Sequence, residues 1–463
     1  MSDVSIAFLG AAATVTGSRF LITGPKSTIL VDCGLFQGLK SIRQKNWEPF
    51  PVNVSSIDAV VLTHAHLDHC GYLPLLAKQG YRNPIVSTHY TKSLVDVILR
   101  DSAHLQMEDA KYANKKGYSK HPVALPLYSL EDAEEALKLF KTKPYFEQIQ
   151  LTDDAFVTFY PAGHILGSSF IVVENAGKKF LFTGDLGRDN HPLLCPPAAP
   201  PQIDFDVIVT ESTYGDRKHD TPEAVFADEI NAAIKRGGSI LIPAFAVDRT
   251  EVILMALREL MLAKKVPPIP IYVDSPMALA ALNFYREAIE LDTPEIRDGV
   301  SHRWANQDPF DPGQLYQALT VDESKAINDL EETSIVISAS GMATGGRVVH
   351  HLANMLPNPH NTVILVGYQA AGSRGRALEE GQREIKMHGK YVPVNAHIAK
   401  VESFSVHADA DELLLWLKQA KKPKEAFVVH GERAGQELMQ SRITNELGWK
   451  ATIPKPLQVF EVN

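Results

Sequence analysis

Cysteine is scarce in this chain: its 463 residues contain three, Cys33, Cys70 and Cys195, with no C-x-x-C pair among them. So sparse and odd a set argues against a disulfide framework and against thiolate zinc, and it suits a reducing cytoplasm. Long apolar runs are missing too. None approaches the roughly 20 residues that cross a bilayer, so no membrane partner is expected. The opening Met1-Ser2-Asp3-Val4-Ser5-Ile6 lacks a basic stretch followed by an apolar one, and no secretory signal is expected. Positive charge is in deficit, with 46 Lys+Arg against 55 Asp+Glu and a formal net charge of −9. Any polyanion must therefore be held by a local cluster of cations or by metals. Low-complexity tracts and fixed-period repeats are also absent.

What is present is a recurring unit: a short buried run that delivers one polar residue at its end. Ala59-Val60-Val61-Leu62-Thr63 leads into His64, and Ala155 to Tyr160 leads through Pro161-Ala162-Gly163 into His164. Lys179 to Gly184 leads into Asp185, Val207 to Thr210 into Glu211, and Ala426 to Val429 into His430. These read as strands whose ends present only His, Asp and Glu, as a site on a rigid scaffold would. A second regime fills about 237–375, where strands near 239–245, 270–275, 334–338 and 361–366 alternate with helical stretches at 250–264, 278–290 and 346–355. Repeated strand–loop–helix units imply a parallel α/β sheet. The strand ending at His430 lies beyond that block, so the second domain is inserted into the first. The segment from Leu99 to Gln150 reads as a surface helical insertion, and 191–202 as a Pro-rich connection.

The run His64-x-His66-x-Asp68-His69 places four zinc-competent side chains in six residues. Imidazole nitrogen and carboxylate oxygen suit zinc, and alternating positions on a tight loop can serve two metals. His164 and Asp185 supply further ligands. His89, in Thr88-His89-Tyr90, reads as a local packing residue and not as a ligand.

Together with Asp32 upstream and the late His430, this pattern resembles the metallo-β-lactamase superfamily, which implies an αββα sandwich. The resemblance implies two Zn²⁺: His64, His66 and His164 on one, Asp68, His69 and His430 on the other, and Asp185 bridging. It implies that Asp32, after the strand Thr28-Ile29-Leu30-Val31, braces the ligand loop without touching metal. Further motifs narrow the branch. Glu211-Ser212-Thr213-Tyr214-Gly215, Ser405-Val406-His407-Ala408-Asp409, Val429-His430-Gly431-Glu432, Ser340-Gly341-Met342-Ala343-Thr344-Gly345-Gly346 and Gly367-Tyr368-Gln369-Ala370 resemble those of the β-CASP nucleases. The expected layout is a metallo-β-lactamase domain in two parts, 1–208 and 399–463, around an inserted β-CASP domain at 209–398. The histidine at 430 matches RNA-acting members, where DNA-acting ones typically carry valine.

The chemistry fits a phosphodiesterase. Two metals roughly 3.5–4 Å apart neutralise the phosphate and bring a bridging water near neutrality, so that hydroxide attacks phosphorus. His407 is the candidate proton donor to the leaving ribose oxygen, with Glu211 holding its ring. Ser340-Gly341 and Gly345-Gly346 lie where a strand gives way to a helix, so their backbone N–H groups are candidates to face phosphate. Arg249, Arg347, Arg374 and Arg376, with Ser373 among them, are candidates for phosphate contacts at comparable loops. The expectation is a cytoplasmic endoribonuclease, with 5′-3′ exonucleolysis as a second mode, that cuts single-stranded RNA to 5′-phosphate and 3′-hydroxyl ends. A second copy of the chain is a candidate partner. Two alternatives stand beside it: a small ester or thioester hydrolase with the same metal site, and a non-catalytic RNA-processing scaffold.

Overall fold

The computed structural model describes residues 4–117, 122–218 and 224–463. The chain divides into two compact units, Met1–Lys218 with His407–Asn463, and His219–Val406. These bounds lie 10 and 8 residues beyond the 208/209 and 398/399 limits expected from sequence. The shift has a local cause at each end. Ser212 Oγ donates to Val429 O, which keeps the residues after the strand Val207–Thr210 on the first unit. Strand His397–Lys400 pairs with Thr362–Leu365 and closes the sheet of the second.

The first unit holds two seven-stranded sheets. In one, Val459–Val462, Val4–Phe8, Phe20–Thr23 and Thr28–Val31 run antiparallel, and Ala59–Val61, Ile85–Ser87 and Phe140–Thr142 continue in parallel. The other orders Ala451–Thr452, Glu425–Val428, Val207–Thr210, Lys178–Phe182, Ser169–Asn175, Ala155–Pro161 and Gln148–Gln150. Alternate residues of the two sheets, among them Ile6, Phe8, Ile29 and Val61 against Val157, Phe159, Phe180 and Phe182, form one buried layer. A strand turns successive side chains to opposite faces, so this period of two defines the layer between sheets. The intervening residues Leu181, Ile208, Ala426 and Val428 pack on helices Ala410–Leu417 and Arg433–Leu447 through Leu413, Leu417, Met439 and Ile443. The result is the expected αββα sandwich. Helix and sheet bury the apolar runs that make the strands; the polar residue at each strand end is left to one rim.

The 99–150 segment differs from a surface helical insertion. Its first helix begins earlier, at His89, and runs to Lys116, burying Leu94, Val95, Ile98 and Leu99. Phe140–Thr142 and Gln148–Gln150 are the edge strands of the two sheets. Both are mostly exposed, so neither shows the alternating apolar pattern that reveals a strand in sequence. Residues 191–202 carry no helix, as their proline density requires.

In the second unit a six-stranded sheet orders Leu315–Gln317, Ile271–Asp274, Ile335–Ser338, Ile240–Pro243, Thr362–Leu365 and His397–Lys400, all neighbours parallel. Helices Arg249–Leu262, Pro276–Glu290 and Arg347–Met355 follow three of these strands. Ser275 caps the second through Ala278 N, with Pro276 at the first helical position, where its missing N–H costs nothing.

A buried network ties this unit together. Asp274 Oδ1 accepts from Arg347 Nη1 at 2.6 Å, and Oδ2 accepts from Ser324 Oγ at 2.6 Å and faces His351 Nε2 at 2.6 Å. Burial works against the charge, but His351, Ser324 and Arg347 prevail and hold the carboxyl below its usual range. A depressed folded pKa means stability that is present above the unfolded carboxylate value and lost as pH falls through the folded one. Asp274→Asn is expected to destabilise the second unit by about 3 kcal/mol, because Arg347 and His351 lose their charged partner. Thermal melting checks this, and the variant's deficit relative to wild type should shrink towards acid pH.

Candidate metal centre

The rim of the sandwich gathers the polar strand ends. Residues 33–35 run alongside the ligand loop: Cys33 N donates to His69 O at 2.7 Å and Leu35 N to Leu67 O at 2.9 Å. Between them a Cβ on Gly34 would sit 1.6 Å from Asp68 O, so only glycine permits the approach. Asp32 then organises the loop. Its Oδ1 accepts from Thr63 N at 2.8 Å, and its Oδ2 from Thr63 Oγ1 at 2.9 Å, while His69 Nδ1 lies 2.8 Å from Oδ2. With Nδ1–H committed to Asp32, His69 turns Nε2 into the site. His64 Nδ1 is 3.1 Å from Thr63 Oγ1, and His430 Nδ1 is 3.0 Å from Thr213 Oγ1; both rings are held the same way.

The inward nitrogens and oxygens converge. His66 Nδ1 lies 3.2 Å from His64 Nε2 and 3.1 Å from His164 Nε2, and Asp185 Oδ2 is 3.4 Å from His64 Nε2 and 3.7 Å from His164 Nε2. On the other side, His430 Nε2 lies 3.2 Å from His69 Nε2 and 3.3 Å from Asp68 Oδ2, and Asp185 Oδ1 is 3.4 Å from His69 Nε2. Three overlapping groups suited to a metal result, His64–His66–His164–Asp185, Asp68–His69–His430 and Asp185–Glu211–His430, the last sharing one residue with each of the others. Ligands bonded tetrahedrally at about 2.0–2.1 Å from zinc lie about 3.3 Å apart, which is the spacing of these atoms. Asp185 Oδ1 is buried without a hydrogen-bond donor, a costly state for a carboxylate that a cation relieves. The donor set therefore fits a pair of metal ions.

Electrostatics divide the site. Burial, and then the neighbouring imidazoles, depress His64, His164 and His66, the last pushed down to about 3, so these three offer lone pairs. Burial also opposes charge on His69 and His430, but it is outweighed, by Asp185 and Asp32 at His69 and by Asp185 and Asp68 at His430. Asp185 ionises readily despite its burial because His430, His69 and His64 surround it.

His407 stands at the edge of this group. Its Nδ1 is 3.2 Å from Glu211 Oε2 and 3.9 Å from Asp185 Oδ2, and its ring centroid is 4.4 Å from that of His164. Glu211 is buried and fixed, since Oε1 accepts from Leu186 N at 2.6 Å and its own N–H donates to Thr183 Oγ1. His89 stays outside; it is exposed at its helix start and lies edge-on to Tyr90, so it is not the packed residue expected. Thr63 and Thr213 have no counterpart among the expected site residues. Thr63 directly precedes the ligand run and Thr213 lies inside the Glu211–Gly215 motif, but their roles depend on partners 31 and 217 positions away.

In the second unit the arginines do not stand as open phosphate forks. Arg249 is buried with Nη1 on Val366 O at 2.6 Å, and Arg347 is spent on Asp274, Ala318 O and Leu319 O. Arg374 Nη1 donates to Ala343 O and Thr344 O, and Arg376 Nε to Gln369 O. They brace loops. The Ser340–Gly346 loop is closed by Ser340 Oγ, which accepts from Thr344 N; Gly341 abuts Phe245, and Gly345 has open space around it. Ser373 accepts from Arg376 N as a helix cap.

Comparison with known proteins agrees with this geometry. Residues 15–227 match the metallo-beta-lactamase superfamily model, 250–378 the Beta-Casp domain, and 391–454 the Zn-dependent metallo-hydrolase RNA specificity domain. The chain is 36% identical to "Ribonuclease TTHA0252" of Thermus thermophilus, over 91% of this chain and 92% of that one. It is 34% identical to an "RNase J-like protein" of Methanocaldococcus jannaschii, over 93% of each. It is 31% identical to "Transcription termination factor FttA" of Methanosarcina mazei, over 95% of this chain and 68% of that one. A crystal structure of a protein of unknown function from Enterococcus faecalis V583 shares the fold, with a TM-score of 0.53 at 12% identity over 99% of this chain and 100% of that one. With a carboxylate-and-imidazole site for metals at the rim of an αββα sandwich, the chain is a metal-dependent hydrolase of the β-CASP ribonuclease family within the metallo-β-lactamase superfamily.

Proposed function

We propose that this chain is a two-zinc ribonuclease that hydrolyses single-stranded RNA to 5′-phosphate and 3′-hydroxyl ends. The observation that carries it is the convergence of His64, His66, His164, Asp68, His69 and His430 with Asp185, and the His407–Glu211 pair beside them. His64, His66 and His164 would hold one zinc, Asp68, His69 and His430 the other, and Asp185 both. When bound there, zinc supplies charge neutralisation at the phosphate and lowers the pKa of water towards neutrality.

The remaining work falls to side chains. Asp32 and Thr63 keep His64 and His69 turned inward, and Thr213 does so for His430. Glu211 holds His407 through Nδ1, so Nε2 is the atom that gives a proton to the departing 3′-oxygen. The Ser340–Gly346 loop, held by Arg374, is proposed to contact backbone phosphates through Ser340, Gly341, Gly345 and Gly346, with Ser373 and Arg376 supporting the neighbouring loop. RNA as substrate is supported by His430 and by the ribonuclease names of two relatives. Three free thiols suit a cytoplasmic enzyme, and no helix among the described residues is long and apolar enough to cross a membrane.

The test is substrate choice. Hydrolysis of a single-stranded RNA should exceed that of DNA of the same sequence, and affinity should fall as salt rises, by a log–log slope of about 0.7 per phosphate contact. Equal rates on both would remove the RNA assignment, and salt-independent binding would remove the phosphate contacts.

A further inference from the structure

One surface segment beside the ligand loop has no part in the chemistry above. From Phe36 to Phe50 this acidic chain carries three cations, Lys40, Arg43 and Lys45, and one acid, Glu48. None of the three cations has an ion-pair partner among the described residues, whereas cations such as Lys78, Arg100 and Arg442 do. Within the segment Trp47 is 61% exposed. Tryptophan is largely buried on average, and an exposed indole forgoes a large hydrophobic gain.

The segment is not loose. Asn46, next to Trp47, is buried and grips the backbone of Phe36 twice, accepting from its N–H at 2.9 Å and donating to its carbonyl at 2.8 Å. The buried Arg19 guanidinium donates to Gly34 O at 2.7 and 2.9 Å and lies 4.0 Å from the Tyr72 ring centroid and 4.8 Å from that of Phe36. Phe50, against Tyr72, anchors the far end. Trp47 is thus a fixed projection whose mount, Asn46, is hydrogen-bonded to Phe36, directly after the Cys33–Leu35 strip whose Cys33 and Leu35 N–H groups donate to His69 O and Leu67 O of the ligand loop. Three Cα steps of 3.8 Å and the Asn46 side-chain bridge to Phe36 separate it from Gly34, so it stands within about 20 Å of that residue.

We infer that Trp47, flanked by Lys40, Arg43 and Lys45, is a base-stacking platform for RNA entering or leaving the metal centre. An aromatic face accepts any base, and unpaired cations follow the backbone, which is how single strands are held without sequence preference. The same pairing of ring and charge disfavours an apolar protein surface as occupant. The inference rests on RNA being the substrate.

The test is steady-state kinetics of the zinc-loaded enzyme on a single-stranded RNA, with one base at a time replaced by an abasic unit. Trp47→Ala should raise KM on the order of 10- to 100-fold, with kcat at saturation keeping most of its value, and Trp47→Phe should restore most of the loss. In wild type one abasic position should raise KM likewise; in Trp47→Ala that position should cost nothing further. Replacing Lys40 and Arg43 by alanine should lower the salt slope by about 0.7 each. An unchanged KM for Trp47→Ala, in an enzyme that still cuts RNA, overturns the platform and leaves the ribonuclease intact. A changed sedimentation coefficient with unchanged KM assigns the face to a second copy and overturns it too. A wild-type enzyme that cuts no RNA removes the ribonuclease itself, and the platform with it.

Discussion

Asp185→Asn should lower the rate of RNA hydrolysis by more than about 10³-fold while leaving the fold in place. The side chain lies between both donor groups, with Oδ2 near His64 and His164 and Oδ1 near His69. An amide has the same shape but no charge, and one of its two ends is a donor, so it cannot serve two cations at once. The raised affinities of His69 and His430 for protons also depend first on Asp185 once burial is overcome, and the substitution should lower both. Oδ1 has no hydrogen-bond donor to lose, but the lowered proton affinities of His69 and His430 remove stability that a raised folded pKa supplies. The metal-free variant should therefore melt lower than wild type at acid pH, with the gap closing as pH rises through those histidines' folded pKa. Turnover near the wild-type rate would rule out a shared two-metal site.

His407→Ala should keep the metals and RNA affinity but lose turnover on the order of 10²–10⁴-fold, the usual contribution of a positioned general acid. The side chain is 14% exposed at the mouth of the group, and Glu211, fixed from behind by Leu186 N, orients it. A ligand role would instead show as lost metal, and a structural role as lowered stability with activity regained on cooling. An RNA with sulfur in place of the 3′-oxygen needs little protonation on leaving. His407→Ala should be largely rescued on that substrate, with wild type controlling for metal preference. Equal defects on both substrates, with zinc and fold intact, would take His407 out of the acid role.

The parts of this molecule that were legible in its sequence are those written as contrast along the chain. Five buried runs end in His64, His164, Asp185, Glu211 and His430, and burial followed by a polar end is what a strand feeding a site requires. The parallel sheet of the second unit was legible for the same reason, with strands such as Ile335–Ser338 and Thr362–Leu365 buried throughout. Edge strands were not. Phe140–Thr142 and Gln148–Gln150 are held by neighbours' backbone and show no apolar face. Nor was the use made of polar side chains. Arg347 reads as a phosphate fork until Asp274, 73 positions earlier, is found beneath it. Thr63 and Thr213 stand in their motifs with no role of their own until Asp32 and His430 are brought beside them. Pairings of that kind are a property of the fold, and a local pattern carries no trace of them.

The claim that joins these results is that Asp185 lies between two metal ions held by this chain's own imidazoles and carboxylates. Elemental analysis of protein purified without chelators, normalised to chain concentration, tests it most directly. Two zinc ions per chain are the predicted result; one or fewer would contradict a bridged site.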